Sequence, residues 1–150
     1  MRRRRPHPRR RAAIAATAVL VAWFAGLLIQ PRRTQWTRHE ILDAIRAVES
    51  GGRADPPDGD GGLAIGPYQI HRVYWQDAMA ADPSLGGRYE DCRTRDYAER
   101  VIASYMRRYV PDAWARGDAE VIARTHNGGP EGAAKPATDR YWGRVLAALP

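Results

Sequence analysis

Cysteine is almost absent from this 150-residue chain. Cys92 is the single example, so no intramolecular disulfide can form and the fold must be stabilised by its core alone. Lysine is nearly missing as well, since Lys135 stands alone among 24 basic residues and the others are arginine. Such a strong preference for arginine over lysine is typical of a GC-rich genome and indicates no particular activity.

Acidic residues are missing from the first 33 positions, which hold nine arginines. Residues 34–150 carry the other 15 basic side chains and all 17 acidic ones, a net charge of −2, although the whole chain has a formal charge of +7. The basic charge therefore belongs to the N-terminal tail. Because nucleic-acid binding rests on a basic surface, we predict no nucleic-acid partner for the remainder of the chain.

One long segment, residues 12–29, has no charged residue and is nearly all apolar. As a helix it would span about 27 Å, close to the thickness of a bilayer core. Seven arginines precede it and two follow it, an asymmetry that places the C-terminal part outside the cytoplasm. No good Ala-x-Ala cleavage motif follows the segment, which favours an uncleaved anchor; a cleaved signal peptide would make the protein secreted.

These features predict the organisation of the chain: a basic tail at 1–11, a transmembrane signal-anchor or signal peptide at 12–30, a linker at 31–36 and one domain at 37–150. About 115 residues lie within the usual size of a single domain.

The domain has mainly helical periodicity. Thr37 and Glu40 have the spacing of a capping box, and apolar spacing predicts helices over 38–49, about 70–81, 95–110 and 118–125, with a last one after Thr138. Residues 51–67 contain six glycines, three prolines and three aspartates, which predicts a loop or a small hairpin. Pro111 is expected to close the third helix, and HNGGP at 126–130 is typical of a tight turn. The fold class is therefore mostly α, with one irregular lobe after the first helix.

Carboxyl groups near this lobe are the candidate catalytic residues. Glu49 is expected in the last helical turn, where the helix dipole disfavours negative charge, so its carboxyl group could keep a proton and donate it. Asp58 and Asp60 lie in a polar loop rich in backbone N–H groups and should stay ionised. Two carboxyl groups in different surroundings are what glycosidic bond cleavage uses. The alternatives are a solvated glutamate at a helix end and two ordinary turn aspartates.

Four separated segments carry a resemblance to a known family. They are ESGG at 49–52 with GPYQI at 66–70 and YWQDA at 74–78; YEDC at 89–92 with YMRRY at 105–109; ARTHNGGP at 123–130; and Thr138 with YW at 141–142. In this order they resemble invertebrate-type lysozymes, also called the destabilase family, over about residues 38–147. The single cysteine and the apolar N-terminal segment differ from the disulfide-rich animal members, so the chain resembles a bacterial, membrane-anchored branch.

The resemblance implies a lysozyme-like α+β fold and a muramidase, a hydrolase of the β-1,4 bond between N-acetylmuramic acid and N-acetylglucosamine in peptidoglycan. It implies Glu49 as general acid and Asp60, or else Asp58, as the second carboxylate. Substrate-binding residues would be, by the same resemblance or by their flat aromatic and amide groups, Tyr68, Gln69, Trp75, His126, Asn127 and Gly128.

Two other functions stay open: a module that binds peptidoglycan without cutting it, and a lytic transglycosylase that uses Glu49 alone. Some family members are credited with isopeptidase activity through a serine and a histidine. Ser50 belongs to the helix-end motif, however, so the sequence does not support a Ser–His nucleophile. His39 and His71 lack partners at metal-ligand spacing and are interpreted as surface or capping residues. No metal or cofactor is therefore predicted.

Overall fold

The computed structural model describes residues 36–150. The predictions for the basic tail, for the apolar segment at 12–30 and for all but the last residue of the linker lie outside the described residues. Within residues 36–150, no helix is both long enough and apolar enough to cross a membrane.

Helices make up most of the described region. In chain order the elements are α1 (Arg38–Ser50), β1 (Ala64–Ile65), β2 (Ile70–His71), α2 (Arg72–Ala81), α3 (Arg95–Tyr109), α4 (Pro111–Arg116), α5 (Ala119–Gly128) and α6 (Asp139–Ala148). Short 3-10 turns lie at Asp60–Gly62, Pro83–Leu85, Tyr89–Arg93, Gly132–Ala134 and Pro136–Thr138. The predicted mostly helical architecture with a small hairpin is confirmed.

Helix α1 begins at the predicted capping box. The Glu40 amide donates to Thr37 Oγ1 at 3.2 Å, and the Thr37 amide donates to Glu40 Oε2 at 2.7 Å. Both bonds satisfy amides that the first helical turn leaves without partners. Ile41 and Ile45 are fully buried on the inner face, and the helix ends just after Glu49. The capping box thus sets the start of the helix whose end carries the candidate acid.

A small antiparallel hairpin follows the glycine-rich loop. Ala64 pairs with His71 and Ile65 with Ile70, and Gly59 forms an additional bridge to Ala64. The bridge brings the chain just before Asp60 alongside β1. The predicted start of the second helix at residue 70 is corrected, because Ile70 and His71 belong to this sheet and α2 begins at Arg72.

The core lies between the helices and the hairpin. Tyr74 of α2 stacks on Tyr105 of α3 with ring centroids 3.6 Å apart, and Val145 of α6 is fully buried. Cys92 is also fully buried, which raises the pKa of its thiol to about 12. This core is therefore held together by side-chain packing without a disulfide bond, as expected for a chain with a single cysteine.

One helix was not predicted and one predicted boundary is wrong, each for an identifiable reason. Pro111 closes α3 but also begins α4, because proline at the first helical position loses no hydrogen bond there. Helix α5 continues to Gly128, and Gly129 is its C-cap. His126 and Asn127 therefore lie in the last turn of a helix rather than in a tight turn, and the helix backbone orients both side chains.

Candidate active site

Glu49 lies at the end of α1, where three elements meet. Its Oε1 accepts a hydrogen bond of 2.7 Å from the Tyr141 hydroxyl of α6 and is 3.7 Å from Nε2 of His126 in α5. Its side chain is 18% exposed. Among residues 36–150, no hydrogen bond or ion pair occupies Oε2. One carboxylate oxygen is thus held by the protein, and the other is available for proton transfer.

Two adjoining cavities meet at Glu49 and Gln69. The first, of about 260 Å³, which we call the Asp60 cavity, is lined by Glu49, Asp60, Ala64, Gln69, His71, His126 and Asn127. The second, of about 370 Å³, which we call the Asp58 cavity, is lined by Glu49, Ser50, Gly51, Arg53, Pro56, Pro57, Asp58, Gly59 and Gln69. Glu49 and Gln69 therefore border both cavities.

Asp60 is an exposed carboxylate in the same cavity as Glu49. Two-thirds of its side chain is accessible, and its Oδ2 lies 3.6 Å from Nε2 of His71. Its backbone φ is 50°, in the left-handed region that non-glycine residues seldom adopt. Such conformations cluster at active sites, where the surrounding structure holds them. The turn before the hairpin therefore exposes Asp60 to solvent in the cavity that Glu49 also lines.

Asp58 is occupied by a charged partner. Its two carboxylate oxygens accept hydrogen bonds of 2.6 and 2.8 Å from the two terminal nitrogens of Arg93. These hydrogen bonds lower the pKa of Asp58 below its ordinary value. A bidentate pair of this kind directs both oxygens at the guanidinium group, so Asp58 has less freedom than Asp60 to interact with a substrate.

Tyr68 points into the core. Its side chain is fully buried, and its hydroxyl donates to Glu99 Oε1 at 2.6 Å. The backbone carbonyl of Tyr68 does reach the site, because it lies 3.2 Å from Nε2 of His126. The ring offers no face to a sugar, which corrects the substrate-binding role predicted for this side chain.

The other predicted binding residues divide into two groups. Gln69, His126 and Asn127 line the Asp60 cavity. Trp75 and Gly128 line neither cavity: the Trp75 indole donates to the Tyr97 hydroxyl at 3.0 Å, and the Gly128 carbonyl accepts from Lys135 Nζ at 2.6 Å. The structure therefore does not bring Trp75 and Gly128 to the cavities that Glu49 lines, and their substrate-binding roles stay predictions.

His126 is a buried imidazole beside the candidate acid. Its side chain is 4% exposed, and the Tyr74 ring packs edge-on at 5.5 Å. Burial lowers the pKa of His126, and Glu49 and the Tyr68 carbonyl oppose this shift in part. The hydrogen bond to Tyr68 assigns the ring proton to Nε2, while the buried Nδ1 has no partner among the described residues.

The lowered pKa of His126 predicts acid sensitivity. The unfolded chain binds a proton near the ordinary pKa of 6.5, whereas the folded protein binds it at a lower pH. The part of the free energy of unfolding that depends on His126 is therefore fully present above about pH 6.5. It declines as the pH falls below that value, because the unfolded chain then binds a proton that the folded protein does not. We expect the free energy of unfolding in urea to fall more between pH 7.5 and 5 for wild type than for His126→Gln. Equal losses in the two proteins would contradict this assignment.

Two residues of the site were not predicted from the sequence. Tyr141 belongs to a segment that carries the family resemblance but was given no role, yet its hydroxyl donates a hydrogen bond to Glu49 across 92 positions of the chain. His71 was interpreted as a surface or capping residue, yet it lines the Asp60 cavity beside Asp60. Helix packing brings Tyr141 to Glu49, and the hairpin register brings His71 to Asp60. Neither contact has a local signal in the sequence.

The remaining polar candidates carry no separate chemistry. The Ser50 hydroxyl donates to the Arg46 carbonyl of its own helix at 3.0 Å, and no hydrogen bond joins it to His126. His39 lies on the surface 3.2 Å from Asp43, as predicted. Within the described residues, no three His, Cys, Asp or Glu side chains are grouped as metal ligands.

Comparison with known proteins places the chain among lysozymes. The Destabilase family model matches residues 38–148. A lysozyme of Meretrix lusoria is 34% identical over 124 residues, which cover 81% of this chain and 92% of that protein. A lysozyme of Ostrea edulis is 38% identical over 85 residues, or 55% of this chain and 58% of that protein.

Solved structures agree with these matches. The structure of Aeromonas hydrophila PliI in complex with Meretrix lusoria lysozyme aligns with a TM-score of 0.60 and 32% identity, over 74% of this chain and 89% of that one. The lysozyme of Tapes japonica aligns with a TM-score of 0.58 and 29% identity, over 71% and 85%.

Proposed function

Because this chain belongs to the destabilase family of invertebrate-type lysozymes, we propose that it is a muramidase that hydrolyses the β-1,4 bond between N-acetylmuramic acid and N-acetylglucosamine in peptidoglycan. Its similarity to lysozymes over most of the domain supports an enzyme of this class. The observation that carries the proposal is the shared cavity of Glu49 and Asp60. A partly buried carboxyl group and an exposed one that line the same cavity are the pair that most glycosidases use.

Glu49 acts as the general acid. The Tyr141 hydroxyl holds Oε1, so the proton is carried on Oε2 and is donated to the glycosidic oxygen as the bond to the sugar breaks. The leaving sugar gains this proton, and positive charge develops at the anomeric carbon that remains. Asp60 provides the opposing negative charge, as a nucleophile or as an electrostatic stabiliser. Water then attacks the anomeric carbon, displaces Asp60 where a covalent bond to it has formed, and gives a proton back to Glu49.

Asp60 rather than Asp58 serves as the second carboxylate. Asp60 is exposed in the Asp60 cavity, which Glu49 also lines, whereas both oxygens of Asp58 are paired with Arg93. We therefore expect Asp60→Asn to lower kcat on peptidoglycan about 100-fold or more and Asp58→Asn to lower it less. The Asp58 variant should instead reduce the free energy of unfolding, because Arg93 loses its partner. The opposite ranking of the two kcat values would assign the role to Asp58.

Product analysis tests the reaction itself. The full-length protein is incubated with purified peptidoglycan, and the soluble products are resolved by mass spectrometry. Reducing muramic ends support hydrolysis. Anhydro-muramic ends that survive Asp60→Asn would replace the proposal with a lytic transglycosylase, and binding to peptidoglycan without soluble products would replace it with a binding module.

We further propose that the domain works outside the cytoplasm, attached to the membrane through residues 12–30 or released from it by cleavage. The support is the uncharged run with arginines weighted to its N-terminal side. Peptidoglycan lies on that side of the membrane, which agrees with the proposed substrate. The proposal of a bacterial origin rests on the single cysteine, the apolar N-terminal segment and the arginine bias, whereas the lysozymes named above come from animals.

A further inference from the structure

Gln69 lines both cavities, yet its side-chain donors are already engaged. Its Nε2 donates to the Gly66 carbonyl at 2.9 Å and to the Pro57 carbonyl at 3.3 Å. Both amide hydrogens are thus bound to backbone oxygens, one in the hairpin turn and one in the loop before Asp60. A sugar hydroxyl or N-acetyl group can therefore receive no hydrogen bond from this amide without breaking one of these contacts.

The oxygen side of the Gln69 amide packs against Gly59. A Cβ atom built on Gly59 would lie 3.2 Å from Gln69 Cδ and closer still to Oε1. The amide therefore packs directly on the backbone that precedes Asp60, in space that any other residue at position 59 would fill. Gly59 also exchanges two backbone hydrogen bonds with Ala64, of 2.9 and 3.1 Å.

These contacts fix the chain on the N-terminal side of Asp60. Pro57 is held by Gln69, Asp58 by Arg93, and Gly59 by both β1 and the Gln69 amide. Asp60 and Gln69 are also the two non-glycine residues with positive φ within residues 36–150, at 50° and 49°. Left-handed backbone at a non-glycine residue persists where its surroundings hold it. Here Asp60 and Gln69 line the same cavity, and Gln69 contacts the loop directly before Asp60.

We propose that Gln69 is a positioning residue that sets the location of the Asp60 carboxylate opposite Glu49, and that it does not bind the sugar directly. This inference rests on the proposed function, in which Asp60 is the second carboxylate. Without the two amide bonds, the loop at 57–60 is joined to the hairpin only through the pairing of Gly59 with Ala64. Asp60 then moves relative to Glu49 while the cavity walls formed by α1 and α5 remain in place.

Two variants remove the contact by different routes. Gln69→Met keeps the length of the side chain but has no amide, and Gly59→Ala keeps the amide but displaces it from the loop. The matched control is Gln76→Met, at an exposed glutamine of α2. All three changes are made in the full-length chain and are combined with Asp60→Asn.

The first measurement is hydrogen–deuterium exchange over residues 57–64. We expect faster exchange in Gln69→Met and Gly59→Ala, and no change in the control. The second is the hydrolysis of soluble peptidoglycan fragments, where kcat should fall about 10- to 100-fold in both variants, because small displacements of a catalytic group have effects of that size. KM should change less than twofold, and neither change should lower kcat further in the Asp60→Asn background.

Three results would overturn the proposal. A raised KM with unchanged kcat would make Gln69 a sugar ligand. Losses that multiply with that of Asp60→Asn would show that Gln69 acts through another group, and unchanged exchange at 57–64 would show that the amide does not hold the loop. If wild type proved inactive, the proposed function would fail, and the exchange data would still decide whether the loop is held. Should Gln69→Met fail to fold, Gly59→Ala provides the same comparison.

Discussion

Glu49→Gln is expected to lower kcat for peptidoglycan hydrolysis about 10²- to 10⁴-fold, the usual contribution of a general acid. Glutamine keeps an oxygen that can accept the hydrogen bond from Tyr141, so the end of α1 and its contact with α6 should persist. The variant has no proton to donate to the leaving sugar oxygen. Release of reducing ends measures the loss, and thermal unfolding verifies that the fold is retained.

The matched control for this experiment is Glu131→Gln, at an exposed glutamate of the segment between α5 and α6. It makes the same chemical change at a residue that lines neither cavity, and its kcat should equal that of wild type. Peptidoglycan hydrolysis by Glu49→Gln at the rate of this control would refute the assignment of Glu49 as general acid.

Gly66→Ala is expected to destabilise the protein by about 2–5 kcal/mol. Gly66 has φ of 74°, a conformation that strains any residue with a Cβ atom. The added Cβ would also lie 2.8 Å from Cα of Arg93 and closer still to the Cys92 carbonyl oxygen. Because the obstructing atoms belong to backbone, they cannot be relieved by a change of rotamer.

Gly61→Ala separates the two effects in Gly66→Ala. Gly61 has a similar φ of 64°, but a Cβ there would meet no atom within 4 Å. Its alanine variant should therefore cost about 1–2 kcal/mol, the strain alone. Urea unfolding of both variants gives the two free energies. Equal losses would show that the backbone at residues 92–93 moves aside, and that its close approach to Gly66 contributes nothing.

The helices were largely predictable because their signals are local. Thr37 and Glu40 mark the start of α1 by a capping box, and apolar spacing of 3.6 residues marks its buried face. The same spacing predicted α3 to within one residue at its end. Helix α4 was missed because proline can both stop one helix and occupy the first position of the next, and Pro111 does both.

The hairpin and its surroundings were less predictable. Strands β1 and β2 have two residues each, too short for any alternating pattern to appear. Glycine and proline enrichment indicated an irregular lobe there, but could not indicate that Gly59 would pair with Ala64. The position of Asp60 depends on this pairing, so the sequence favoured Asp60 only through the family resemblance and left Asp58 as the alternative.

The sequence by itself determined a mostly helical domain, because helix caps and apolar spacing are local in the chain, and its short ordered motifs carried the resemblance to the destabilase family. It also singled out Glu49 at the end of α1. The tertiary structure decided which side chains meet there: Tyr141 and His126 come to Glu49 on separate helices, Tyr68 turns into the core, and Arg93 occupies Asp58. These contacts join positions 35 to 92 residues apart, and such distances are closed by packing that no local pattern encodes.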